Sequence, residues 1–120
     1  MIIIMNKNLV TLDELQKIIK LKKLDKYIKE IGYSKRKDKK YFVKNIDNKI
    51  IHFGNINFED YLIHGDKDRL NNFQNRFKKI YEKNKNNINS PLFYSWNLLW
   101  SIPPSNNNTT KKINFKVDIN

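Results

Sequence analysis

Apolar side chains along this chain recur at two spacings, and the switches between them mark out the elements. Residues 11–31 carry two apolar lines at helical intervals: Leu12, Leu15 and Ile19, then Leu21, Leu24, Ile28 and Ile31. The two lines do not share one stripe, so the pattern predicts a helix kinked near residues 20–22 or two short helices. Thr11 and Glu14 head the first line as a capping box, with the Thr11 hydroxyl accepting from the Glu14 N–H and the Glu14 carboxylate reaching back. Gly32 suits the left-handed position that ends such a helix. Residues 41–46 and 49–53 read as the strands of a hairpin, joined by Asp47-Asn48, which tolerate positive φ. Gly54 stops the second strand, and residues 55–63 read as a short connection with a turn at Glu59-Asp60.

Helical spacing returns at Leu70, Phe73, Phe77, Ile80 and Tyr81, which predicts an amphipathic helix over 66–83 with Asp66 as its N-cap. Ser90-Pro91 opens another helix, serine as cap and proline at the first helical position, in which Leu92, Trp96, Leu99 and Trp100 share a face. Ile102-Pro103-Pro104 ends it. Ile113, Phe115, Val117 and Ile119 alternate with polar residues and predict a half-buried C-terminal strand. The expected architecture is a small single α+β domain, a β-hairpin plus C-terminal strand packed against two or three helices. Its parts are an N-terminal apolar strand or arm at 1–10, a core at 11–102, a polar linker at 103–112 and the strand at 113–120.

Composition narrows the chemistry. The chain has no cysteine, which removes disulfides and thiolate metal sites. Two histidines are too few nitrogen ligands for an all-protein zinc site, so no metal and no cofactor is expected. The apolar opening at 1–5 lacks a basic n-region and a long h-region, and nothing approaches the roughly 20 apolar residues that span a bilayer. A protein that is not secreted, with no transmembrane segment, is the expectation.

Charge points outward. The net charge is +12, and between residues 17 and 44 there are 12 basic against 3 acidic side chains. Lysine outnumbers arginine 21 to 3 and alanine is absent, as an AT-rich coding sequence produces, but that bias leaves the twofold excess of positive charge unexplained. The residues expected to meet a polyanion are Lys17, Lys20, Lys22, Lys23, Lys35, Arg36, Lys37, Lys39, Lys40, Lys78 and Lys79. Lysines neutralise phosphate without reading bases, so such contact is expected to be salt-sensitive and nearly sequence-blind.

His52, His64, Asp60, Asp66 and Asp68 are the parts of a metal-dependent nuclease or a general acid–base pair. Their positions favour scaffold roles. His52 ends an amphipathic strand, where its ring packs while one nitrogen bonds to a carbonyl or carboxylate. His64-x-Asp66 directly precedes a helix and reads as a cap. Asp60 or Asp66 with Arg69 is expected to make a partly buried ion pair. Trp96 and Trp100, on one helical face, are expected in the core rather than stacked on bases. No catalytic residue is assigned.

The ordered segments K-K-Y-F-V-K, I-I-H-F-G, F-E-D-Y, I-H-G-D-K-D-R and S-P-L-F-Y-S-W-N-L-L-W resemble a family of small uncharacterised proteins of nucleocytoplasmic large DNA viruses, over about residues 38–102. The positions shared with that pattern are His52, Phe53, Gly54, Asp60, Tyr61, His64, Asp66, Arg69, Ser95, Trp96, Leu99 and Trp100. Gly65 stands where the family has lysine, Asn97 departs from its polar pattern, and Phe77 replaces a histidine, which speaks against a catalytic triad there. The resemblance implies a fold and an origin, with no mechanism.

The expected function is that of a non-enzymatic virion component, a minor capsid or core protein whose lysine-rich face contacts a polyanion. The partners would be other virion proteins, packaged nucleic acid or an anionic membrane surface, in the particle or the host cytoplasm. A sequence-independent DNA- or RNA-binding protein of replication, transcription or host takeover is the alternative. A small metal-dependent nuclease using His52, His64 and the nearby aspartates is a third.

Overall fold

Helix formation begins at the Thr11 cap. Thr11 Oγ1 accepts from the Glu14 N–H at 3.2 Å, and α1 (Leu12–Leu21) buries Leu15, Ile18 and Ile19. Just before it, the buried Tyr41 hydroxyl donates to the Val10 carbonyl at 2.8 Å and accepts from the Val10 N–H at 2.6 Å. The start of α1 is thereby pinned to the sheet. The structure, a computed structural model, describes residues 8–103. The strands expected at 2–5 and 113–119 and the polar stretch at 105–110 lie outside the described residues.

The second apolar line does not continue the helix. Lys23 turns the chain at φ 59°, Leu24–Lys26 form one 3-10 turn, and β1 (Ile28–Tyr33) follows. The spacing of three between Ile28 and Ile31 misleads because the strand is bulged. Its register shifts between Ile28 and Glu30, so Ile28 pairs with Asn45 while Ile31 pairs with Val43. The extra residue keeps both isoleucines on one face of the sheet, where strict alternation would part them. Gly32 is therefore no helix stop. It pairs with Phe42, and a Cβ there would stand 2.6 Å from Phe42 Cε1, so the ring lies where a side chain would have been.

Strands β2 (Lys39–Asn45) and β3 (Ile50–Asn55) make the predicted hairpin, and Asn48 supplies the positive φ of 64° at its turn. The buried Asn45 holds this end together. Its Oδ1 accepts from the N–H groups of Asp47 and Lys49, and its Nδ2 donates to the Ile88 carbonyl at 3.0 Å and to Asn89 Oδ1 at 2.9 Å. The sheet is antiparallel in the order β1-β2-β3. Tyr41, Val43 and Phe53 lie on the core side with the apolar residues of α1, while Phe42 and His52 pair on the other face, half-buried.

Asp60 caps the one-turn helix α2 (Tyr61–His64), accepting from the Leu62 N–H at 3.1 Å, and Gly65 ends it at φ 63°. Asp66 caps α3 (Lys67–Asn84), its Oδ1 accepting from the N–H groups of Asp68 and Arg69. The last helical segment departs from the even helix that the sequence predicts. Ser90 sits at the cap position without a side-chain capping bond, α4 (Pro91–Tyr94) is one turn, and Ser95–Leu99 continue as a π turn closed by Trp100 N–H to the Ser95 carbonyl at 2.9 Å. The wider turn shifts the phase of the apolar face, so Phe93, Tyr94, Leu98 and Leu99 are buried while Trp96 and Trp100 are turned toward α3. Three strands in one sheet and four α-helices make the described residues a small α+β domain.

Candidate functional site

The acids and imidazoles singled out in the sequence do not converge. Asp60 pairs with Lys40, Nζ to Oδ2 at 2.8 Å, and both side chains are almost wholly buried. Lys40 lies opposite Gly54 on the neighbouring strand, and Gly54 makes room for it. At φ +84° the backbone there favours glycine, and a Cβ would fall 3.2 Å from Lys40 Cβ and 3.1 Å from Leu99 Cδ1. Lys40 is thus an internal strut, 2% exposed, and it corrects the expectation of a surface cation. Burial raises the Asp60 pKa, and the Lys40 charge and hydrogen bond oppose that shift. The expected Asp60–Arg69 pair is absent because Lys40 already holds the carboxylate; Arg69 instead reaches Glu59 at 3.4 Å.

His52 Nδ1 shares a 2.7 Å hydrogen bond with Ser34 Oγ, not with the carbonyl or carboxylate expected, and its ring lies 6.2 Å from that of Phe42. Desolvation lowers its pKa, with the Arg36 charge acting in the same direction. His64 Nδ1 accepts from the Asp66 N–H at 2.9 Å, and its ring meets Trp100 at 5.4 Å and Tyr61 at 6.0 Å. Among the described residues no three His, Asp or Glu side chains gather where they could hold a metal ion.

A half-open groove of about 670 Å³ lies between α3 and the segment that follows β3. Buried Lys40, Asp60, Phe53 and Leu99 form its floor. Arg69, Asn72, Phe73, Arg76 and Phe77 line it from α3, Asn55 from the end of β3, Phe58 and Glu59 from the connecting segment, and Ser95 and Trp100 from the two ends of the π turn. Lys39 also lines it, half-buried. Both acids of the groove are engaged, Asp60 with Lys40 and Glu59 with Arg69. Lys39 and Arg76 make no salt bridge among the described residues, so the groove presents uncompensated positive charge. Its aromatic surface is in two states. Phe73 and Trp100 are stacked on each other at 4.4 Å, whereas Phe58 is 61% exposed and makes no ring contact among the described residues.

The remaining cations lie elsewhere. Lys17, Lys20, Lys23, Lys35, Arg36, Lys37, Lys78 and Lys79 are exposed. Lys22 is not, which is a second correction. Its ammonium donates to the Asn97 carbonyl and to Ser101 Oγ at the end of the π turn, and burial lowers its pKa to about 8. Trp96 and Trp100 serve packing between helices, Trp96 stacking on Tyr81 at 4.1 Å with the rings 3° from parallel.

Sequence reasoning missed the groove, although parts of it left a trace. Phe58 is a large apolar residue within a polar connection, and Arg76 interrupts the stripe beside Phe77, over whose ring its guanidinium sits at 5.3 Å. Neither signal says that the two residues share a recess, since that depends on how α3 folds back. Among the described residues no helix is long and apolar enough to cross a membrane. No curated protein and no solved structure matches the chain. Residues 29–77, which run from β1 into α3 and stop before the two tryptophans, match a family described only as a family of unknown function, DUF5754.

Proposed function

We propose that this chain is a non-enzymatic binding protein whose lysine-rich exterior engages a polyanion, and that the polyanion is nucleic acid. One observation carries the reading. Asp60, Asp66, His52 and His64 are taken up by capping, pairing and packing, while of the eight exposed cations expected to face a partner only Lys17 makes a salt bridge among the described residues. Exposed lysines that hold no carboxylate are free to displace the counterions of a phosphate backbone. In the setting of the large DNA viruses, which we propose as the origin of the chain from the order of its motifs, the partner is packaged genome and the protein a minor capsid or core component.

Equilibrium binding of a labelled DNA duplex at low and moderate salt tests the reading. Affinity is expected to fall linearly on logarithmic axes as salt rises, and equally for unrelated sequences. Exchanging Lys35 and Lys37 for glutamate should flatten that slope. Binding that ignores salt, or no binding at low salt, removes the proposal. Mass spectrometry of purified particles decides the virion placement separately, and absence from them leaves only a role in the infected cell.

A further inference from the structure

The exposed lysines account for attraction to any phosphate backbone and leave the groove beside α3 unexplained. Its volume of about 670 Å³ is that of a small-molecule site, with room for a nucleotide or two but not for a duplex. Two of its cations, Lys39 and Arg76, have no acidic partner among the described residues. A third, Arg69, is held only by Glu59 at 3.4 Å, with both side chains close to half exposed, and a solvent-exposed pair of that kind yields readily to a competing anion. An isolated exposed phenylalanine is ordinary on a protein surface. Phe58 differs because it lines the same recess as those cations and its ring meets no other ring among the described residues. Phe77 adds a second ring, already under the Arg76 guanidinium. Amides of Asn55 and Asn72 stand alongside.

Positive charge tracking a backbone, with aromatic faces for unstacked bases, is the combination by which proteins hold single strands. A duplex keeps its bases stacked and offers such rings nothing. We propose that this groove binds a single-stranded nucleic-acid segment, phosphates on Lys39, Arg69 and Arg76 and a base against Phe58. The inference rests on the nucleic-acid reading above and adds a strand preference with a place for it. The floor of the groove is held in place, because Lys40 and Asp60 form the buried ion pair and Gly54 is closely approached by Lys40 and Leu99.

The test compares the full chain with its Phe58→Ala and Arg76→Gln variants, both altered at exposed positions so that folding is preserved. The probes are an oligothymidylate of about 12 nucleotides and a duplex of the same length. The wild-type chain should hold the single strand more tightly than the duplex. Phe58→Ala should weaken the single strand at least ~5-fold while leaving the duplex unchanged. Arg76→Gln should weaken the single strand and lower its salt slope by about one. Quenching of tryptophan emission by the single strand, reporting on Trp100 at the groove, should follow the same order. Equal affinity for the two probes, with neither variant changing either, overturns the groove and leaves the lysine face standing. Absence of any nucleic-acid binding by the wild-type chain overturns both.

Discussion

Strand β2 and helix α3 are both built around aromatic side chains, yet they bury them to different degrees. In β2 and its neighbours, Tyr41 and Phe53 lose all contact with solvent, and the rings of Tyr41, Phe53 and Tyr94 follow one another at 5.7 Å through the core. Polar atoms there are matched, as Tyr41 with Val10 and Asn45 with four partners show. In α3, 18 residues long, only Leu70 is buried. Phe73, Phe77 and Tyr81 are half covered and Ile80 is 52% exposed. Beyond Leu70, α3 is held by two ring stacks, Phe73 on Trp100 and Tyr81 on Trp96, and by hydrogen bonds from Gln74 to the Trp100 carbonyl and from Asn97 to the Tyr81 hydroxyl. The sheet side is stabilised by area removed from water; α3 is attached along one seam, and the gap it leaves is the groove. Elements with few buried contacts open most readily, so α3, the wall of the proposed site, is expected to open before the sheet does.

The largest effect is expected at the joint between the two regions. Lys40→Met strands the Asp60 carboxylate in a dry environment and should cost about 3–5 kcal/mol in denaturant unfolding. Adding Asp60→Asn, which keeps an oxygen for the Leu62 N–H, should restore most of that loss. A double variant as unstable as the single would mean that the pair is not what supports the floor.

Next comes the seam. Trp100→Ala removes the rings' stack on Phe73 and the contact with His64, and should cost ~2–3 kcal/mol. Hydrogen exchange should show α3 amides losing protection well before those of β2 and β3. Uniform loss across the molecule would erase the contrast between the regions.

A smaller effect depends on pH. Burial holds Lys22 near pKa 8 against an ordinary 10.5. Between those values the unfolded chain keeps a proton that the folded chain has released, so stability rises with pH, and the gain is lost as pH falls through 8. From pH 8 to about 10 the increase should be on the order of 2 kcal/mol, and Lys22→Met should abolish it. Above that range the trend reverses. Tyr94 is raised by burial to about 12 from 10, so the unfolded chain ionises first and is favoured. A flat profile in the wild-type chain would place the Lys22 ammonium in water.

Much of the architecture was legible because it rests on local chemistry. Thr11 and Asp66 accept from N–H groups within three residues of themselves, and Asn48 adopts its positive φ within a two-residue turn. Such interactions need no knowledge of the rest of the chain. The segment at 28–33 was not legible. Its isoleucines suit a helix by spacing, and only pairing with β2 and a bulge at the register shift make it a strand. The site was legible in pieces. The motif residues Gly54, Asp60 and Arg69 do line one groove, but the residues that complete it, Phe58 and Arg76 among them, come from a connection and a helix face whose meeting no short window records.

The amino-acid order alone thus set the caps, the hairpin turn, the amphipathic helix and the surplus of positive charge, each within one turn or one ladder of neighbours. Tertiary structure alone decided that Lys40 would be interior and the Lys22 ammonium tied to the π turn, that the last helix would widen into that turn, and that α3 would stand off the sheet far enough to leave a basic, aromatic recess. The reason is one of range. Capping and turn formation are settled by atoms a few residues apart, whereas burial of a charge depends on which distant carboxylate or carbonyl folding brings to meet it.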